Sequence, residues 1–412
     1  MHPKKLLLNV LLIFLPVYVL KAQSGLPMGS QKPFQLSADL RTEYDTNINT
    51  TTEAEKAAGF SEDESMKLIF MPQLLFKYPL EQTEFSFSYD LGVTYFLDRP
   101  GDDDEDLSHD LIGRIQHQFS PQFDIDIRER FSIDQEPEIV GSSLRTSGDR
   151  LSNRVSLTGN YAWTDRFSTE TTYENYWLNY DDDSRQDDDR FEHEVIQDLR
   201  FQAFRDTVAI AGYQYTLYDY EEEGSPDNRD THIFTLGAEH FLTPQWLLTA
   251  RAGAQLLFYD EPDTNGDNRD TLGPFTSLST IWNYDPRSNL SLQYQLSEIS
   301  ADQTSFSSRT THQVSFNIKH YLTPKLSLGS SVTALISEYD IENSNTNDPS
   351  FDELTIRYTG DVEYEFTNWL SIIAGYRFTE VDADDQVLVN GAIFSDRSYD
   401  RHQGFFGVRG VY

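Results

Sequence analysis

The residues of this 412-residue chain that could carry chemistry are nine histidines and several acidic runs. The histidines show no metal-binding spacing such as His-Glu-x-x-His, and the chain has no cysteine. It also lacks a Gly-x-Ser-x-Gly turn, a phosphate-binding loop and a dinucleotide-binding glycine motif. We therefore predict no enzyme activity, no cofactor and no bound metal. A hydrolase built into the fold remains the enzymatic alternative, because Ser, His and Asp are all common here.

Acidic residues are concentrated in four runs, at 102–106, 181–183, 187–189 and 221–223. We interpret these runs as solvated, self-repelling loops. The alternative interpretation is that they bind divalent cations or attract cations to an opening. Segment 263–267 alternates oxygen-bearing side chains as a Ca²⁺ loop does. However, Gly266 is misplaced for an EF-hand and Pro274 stands where the last ligand should be, which favours a simple turn.

Composition excludes several classes of protein. The net charge of −36 makes nucleic acid an implausible partner. A disordered acidic chain would be poor in aromatic residues, whereas this one has 23 Tyr, 27 Phe and 5 Trp. The absence of cysteine means that no disulfide stabilises the fold.

The N-terminus predicts export. Lys4 and Lys5 precede an apolar run over residues 6–20, and Ala22 is a small residue at a suitable cleavage position. About 15 apolar residues are too few for a comfortable membrane-spanning helix, which needs about 20. We predict a signal peptide at 1–22, a short periplasmic segment at 23–33 and a folded region at 34–412.

A repeat of roughly 41 residues organises the folded region. Short turns recur at Pro79, Pro121, Asp165, Asp206, Pro244, Pro286, Pro324 and Asn368. Two long alternating strands lie between successive turns, joined on the other side by long acidic loops. A propeller repeats at a similar period but fits four short strands into it, which favours a barrel here.

The pattern thus predicts an all-β fold, a transmembrane antiparallel up-and-down β-barrel of about 18 strands, with 16 as the alternative. Short turns would lie on the periplasmic side and long acidic loops on the extracellular side. Pro72 makes the second strand the least secure, because proline donates no ladder hydrogen bond.

Alternation with a period of two separates the faces of each strand. Ile125 and Ile127 lie on one face of their strand, and Asp126 and Arg128 on the other. A charge near the lipid midplane costs roughly 2–4 kcal/mol, so the charged face must look inward. The predicted pore-lining residues are Arg114, Asp126, Arg128, Arg130, Arg154, Asp198, Arg200, Arg251, Lys319, Arg357, Asp361, Glu363, Arg377 and Arg409.

Aromatic residues beside the short turns predict an interfacial girdle. They are Phe119, Trp163, Phe167, Phe241, Trp246, Tyr321, Phe366 and Trp369. A barrel of this size is water-filled unless a segment plugs it. Segment 23–33 is too short for a plug, so loops 47–65 and 135–150 are the candidates for constricting the lumen.

Three features resemble the β-barrel porins of bacterial outer membranes. The first strand contains Tyr44-Asp-x-Asn-Ile48, and turns of the type Phe/Leu-Ser/Thr-Pro-x occur at 119–122, 242–245 and 322–325. The closing strand carries Phe406, Val408 and Tyr412, like the C-terminal signal read by the barrel-assembly machinery. The resemblance implies an outer-membrane location and, for some such proteins, a link to exopolysaccharide export.

Three functional hypotheses follow. The first is a porin-like channel for passive diffusion of small hydrophilic solutes, without cofactors, in contact with outer-membrane lipid. The second is a closed or plugged barrel acting in surface adhesion or exopolysaccharide binding or export. The third is a soluble secreted β-protein. Nothing in the sequence marks a subunit interface, so the oligomeric state is left open.

Overall fold

A computed structural model describes residues 33–60, 63–99, 104–135, 150–181, 189–221, 225, 227–262, 269–300, 308–340, 351–383, 387–389, 392–394 and 397–412. The leader at 1–22 and nearly all of segment 23–33 lie outside these ranges, so both stay predictions. Residues 34–412 form one compact unit.

Eighteen long strands of the described residues form one closed antiparallel sheet. They are β1 Phe34–Asp45, β2 Ser65–Pro79, β3 Thr83–Phe96, β4 Glu105–Ser120, β5 Phe123–Asp134, β6 Arg150–Ala162, β7 Phe167–Tyr180, β8 Arg190–Phe204, β9 Thr207–Tyr220, β10 Arg229–Thr243, β11 Trp246–Tyr259, β12 Thr271–Asp285, β13 Ser288–Ser300, β14 Ser308–Thr323, β15 Leu326–Asp340, β16 Phe351–Glu365, β17 Leu370–Ala383 and β20 Tyr399–Val411. A small hairpin, β18 Val387–Val389 and β19 Ala392–Phe394, lies in the last long loop. One short helix, α1 Glu53–Ala57, follows β1. None of the helical structure within these ranges is long and apolar enough to span a membrane.

Each barrel strand pairs with its neighbours in the sequence, and the first strand closes the barrel against the last. Ser37 of β1 lies opposite Val411 of β20, and the backbones of Leu36 and Tyr412 exchange hydrogen bonds of 2.7 and 3.2 Å. The predicted up-and-down barrel is therefore confirmed, with 18 strands instead of 16.

Pro72 disturbs β2 on one side only. Its pairing with Ala38 of β1 is continuous, but the ladder to β3 skips Met71 and Pro72 and resumes where Gln73 meets Asp90. The second strand thus exists as predicted, and the missing proline N–H accounts for the local gap.

Alternation assigns the two faces of the wall. Leu36, Leu40 and Phe406 are between 47% and 57% exposed on the outside, whereas Asp39 and Glu43 on the other face of β1 are buried. In a closed sheet, every backbone hydrogen bond can be satisfied within the wall. An apolar outer face of such a sheet is therefore suited to contact lipid.

All eight histidines of the barrel lie on this outer face, which the sequence pattern did not reveal. Each accepts or donates a hydrogen bond through Nδ1, within 3.0 Å of a Tyr or Thr hydroxyl. His232 and His240 are eight residues apart on β10, and two other strands repeat that spacing. Eight residues of a tilted strand span roughly 20 Å along the membrane normal, close to the height of an apolar band. The histidines therefore mark its two borders.

The predicted aromatic girdle is right in part. Phe119, Trp163 and Trp369 are more than half exposed beside the short turns. Phe241 and Tyr321, by contrast, share the inner face of their strands with Glu239 and Lys319. Their predicted place in the girdle was wrong, because it followed from closeness to the turn, while regular alternation continues through both residues up to a register shift directly after each.

Candidate functional site: the inner face of the barrel

An ion pair across three strands identifies the concave face. Arg251 of β11 donates to both carboxylate oxygens of Asp198 on β8, at 2.9 and 2.6 Å. Side chains diverge on the convex face of a barrel, so two groups three strands apart meet only inside it. Gly212 and Gly237 lie on the strands between them and leave room for the arginine to lie flat. A Cβ at Gly212 would stand 2.7 Å from the Asp198 carboxylate.

We expect Gly212→Ala to destabilise the barrel by about 1–3 kcal/mol, because the methyl group would overlap Asp198 and Thr235. Gly113→Ala is the matched control, since nothing lies within 4 Å of a Cβ added there. Urea unfolding of both variants in lipid vesicles measures the difference. Equal stabilities of the two variants would contradict the proposed path of Arg251 along the wall.

The register places all fourteen predicted pore-lining residues on this inner face. Most are held in ion pairs, which are Arg114–Asp126, Arg130–Asp110, Arg154–Glu174, Arg200–Glu239, Arg251–Asp198, Arg377–Glu43, Arg409–Asp39 and Arg409–Glu363. Arg128, Lys319, Arg357 and Asp361 share the face, and no ion pair to another described residue is found for them. That these residues line an open pore stays a prediction.

The exposure of inward side chains varies along the wall. Near mid-depth, the side chains of Arg114, Arg130 and Arg154 are 45%, 55% and 47% exposed although they point inward. At the long-loop end, the inward-facing Tyr339 and Leu257 are completely or almost completely buried. Inward side chains are therefore half-exposed at mid-depth on β4 to β6 and buried at the long-loop end of β11 and β15.

A buried charge cluster at the seam between β1, β2 and β20 was missed by the sequence analysis. Asp45 is fully buried and accepts from Arg401, whose Nε and Nη2 lie 3.0 and 2.6 Å from its oxygens. Lys67 of β2 donates to the same carboxylate, and Gln403 donates to both Asp45 and Glu43. The alternation placed these side chains inward, but only closure brings together residues 356 positions apart.

The first long loop is fixed beside this cluster. Asn47 donates to the carbonyl oxygens of Thr51 and Asp400, and the N–H of Glu53 donates to Ser398 at 2.8 Å. Ile48 is 1% exposed, so the loop is closely packed at this position. Constriction by loop 47–65 stays a prediction. Residues 136–149 of the other candidate loop, segment 263–267 and most of the acidic runs lie outside the described residues.

Comparison with known proteins agrees with this architecture. No protein-family model matches the chain, and no curated protein matches its sequence. OccK2 (OpdF) of Pseudomonas aeruginosa, solved in complex with glucuronate, superposes with a TM-score of 0.51 at 12% identity, over 93% of this chain and 100% of that one. A second structure of OccK2 gives 0.51 at 11% identity, over 93% and 99%. OpdL of Pseudomonas aeruginosa gives 0.44 at 12% identity, over 92% and 98%.

At these identities the likeness shows the fold alone. The chain has the closed 18-stranded barrel of outer-membrane porins, as its sequence resemblance predicted. With its apolar outer face and bordering histidine and tyrosine pairs, that fold defines an outer-membrane β-barrel protein.

Proposed function

We propose that this protein is an outer-membrane channel through which small hydrophilic solutes diffuse passively. The observation that supports it is the half-exposed state of Arg114, Arg130 and Arg154 inside the wall. Charged side chains keep such exposure in a membrane only where water fills the interior. OccK2, which has a similar fold, was solved in complex with glucuronate.

In the proposed mechanism, pore width and inward charges select solutes, and no reaction or cofactor takes part. The inward cations are largely balanced by neighbouring carboxylates, which supports weak selectivity between anions and cations near mid-depth. Tight retention of an ion would require an unbalanced charge in a dry site, and exposed pairs interact weakly.

The proposal includes export by cleavage of the leader at 1–22 and assembly through the C-terminal strand. Phe406, Val408 and Tyr412 support the second part, because all three point outward from the closing strand and are 57%, 37% and 80% exposed. In that position the barrel-assembly machinery could read them before the seam with β1 closes.

Single-channel recording of the purified protein in planar bilayers tests the proposed channel. We expect discrete openings above the lipid baseline. Their conductance should be proportional to salt concentration, because the ions move through a water-filled lumen. Protein unfolded by heating is the control and should give none. A folded barrel that gives no openings would reject the channel.

The packed long-loop end favours a second candidate, a closed barrel acting in surface adhesion or in polysaccharide binding or export. Tyr339 and Leu257 point inward at that end and are buried, as inner residues of a plugged barrel would be. This candidate predicts no conductance, together with polysaccharide binding to intact cells that is lost when the loop at 46–60 is shortened. Conductance with unchanged surface binding would reject it.

A further inference from the structure

One sector of the inner wall carries no charge at mid-depth. Strands β13 and β14 meet there in three successive inner pairs, which are Gln295 with Gln313, Gln293 with Ser315, and Ser291 with Asn317. Each pair consists of amides or hydroxyls. Inner pairs along a ladder are two residues apart, so the three pairs cover roughly 10 Å of the pore length on tilted strands.

The neighbouring strands widen this uncharged sector. Ser279 of β12 lies opposite Gln293, and Thr333 of β15 lies opposite Ser315, so hydroxyls continue on both sides. Ile281 and Leu335 border the sector at its corners, next to Ser291 and Gln313. The surface therefore combines hydrogen-bonding groups with small apolar edges.

The remaining inner wall differs sharply from this sector. Across β4 to β8, mid-depth positions hold ion pairs such as Arg130–Asp110 and Arg154–Glu174. Ions that cross the lumen can therefore interact with the charged side chains of this part of the wall. The three mid-depth pairs of β13 and β14 offer an ion no opposite charge, and Lys319, the next inner residue of β14, lies nearer to the short turns. This sector would therefore act mainly on uncharged solutes.

The amide side chains of this sector form few and weak hydrogen bonds with the rest of the wall. Gln293 and Asn317 are exposed to the lumen, and neither makes a side-chain hydrogen bond to another described residue. Gln295 and Gln313 donate to Ser297 and Ser315 at 3.5 and 3.4 Å, long contacts of little strength. Their donors and acceptors face the water of the lumen.

We propose that the inner face of β12–β15 at mid-depth is a hydrogen-bonding track for uncharged, hydroxyl-rich solutes, that is, sugars and other polyols. The inference rests on the proposed channel and names its substrate class. A sugar hydroxyl both donates and accepts hydrogen bonds, as does a carboxamide, and the C–H faces of a sugar ring suit apolar edges such as Ile281. Neutral partners also avoid the desolvation cost that an ion would meet.

Liposome swelling with the unmodified protein is the first test, with glucose and sodium glucuronate as probes of similar size. We expect faster swelling in glucose. Equal rates, or faster swelling in glucuronate, would overturn the track, because the charged sector would then decide selectivity.

A variant with Gln293→Leu, Gln313→Leu and Asn317→Leu is the second test. Similar side-chain size with no hydrogen bonding should lower glucose-driven swelling by about three- to ten-fold, while potassium conductance in planar bilayers stays within about two-fold. Val314→Ala, on the outer face of β14, is the control and should change neither quantity.

Each outcome separates the two proposals. Unchanged glucose swelling in a variant that still conducts potassium would overturn the track and leave the channel standing. Absence of conductance in the unmodified protein would overturn the channel and the track with it. If the triple variant does not fold, Gln293→Leu alone replaces it, with a smaller loss of about two-fold expected.

Discussion

Replacing Asp45 with asparagine is expected to destabilise the barrel by about 3–5 kcal/mol, because two buried cations would lose their shared carboxylate. Asp45 is fully buried, and the side chains of Lys67 and Arg401 are only 6% and 7% exposed. Asparagine keeps the size of the side chain but removes the negative charge that both cations share, and it leaves Lys67 with the more distant Glu43 at 3.5 Å. The interactions that are lost lie at the seam, where β1 pairs with β20.

Urea unfolding in lipid vesicles, followed by tryptophan fluorescence, measures this loss. The temperature at which the folded band disappears in detergent electrophoresis should fall in parallel. Glu53→Gln is the matched control, since its partner Lys56 forms an exposed pair on α1 that contributes little. If Asp45→Asn and Glu53→Gln were equally stable, the seam would not depend on the buried cluster.

Replacing Leu236 with arginine is expected to cost about 2–4 kcal/mol, the penalty for a charge at the lipid midplane. Leu236 lies four residues from His232 and four from His240, midway between the two borders of the apolar band. It is 72% exposed and flanked by Ala211 and Ala252, so little packing is lost with it. The penalty therefore reports lipid contact.

Two comparisons complete this prediction. Leu236→Ala removes the same side chain without adding a charge and should cost clearly less. Asn317→Arg places the same charge on the exposed inner face and should change stability by less than about 1 kcal/mol, because water solvates it. Urea unfolding in vesicles compares the three variants. An equal cost for Leu236→Arg and Asn317→Arg would contradict the assignment of the faces.

Local patterns in the sequence were enough to predict the barrel. Strand length, the short turns and the alternation around residues such as Ile125 and Asp126 gave 18 strands and two faces, because each depends on neighbours along the chain. The same alternation put Arg251 and Asp198 inward. The girdle prediction failed at Phe241 and Tyr321 because it used only their closeness to the turn, whereas alternation with Glu239 and Lys319 puts both side chains inward.

The contacts between distant residues could not be predicted in this way. Asp45 and Arg401 meet only once the first and last strands pair, and no local signal couples them. Most of the Tyr–His pairs, such as Tyr213 with His232, join residues across a long loop at a diagonal of the ladder. The register of each hairpin is needed to see that they face lipid together.

Single cysteine substitutions with spin labels test the central claim, that neighbouring side chains face lipid and enclosed water in turn. The chain has no cysteine of its own, so labels at Leu292 and Gln293 would be unique. In vesicles, we predict that the label at Leu292 collides mainly with oxygen dissolved in the acyl chains, and the label at Gln293 mainly with a water-soluble nickel complex. Equal access of the nickel complex to both positions would contradict the account.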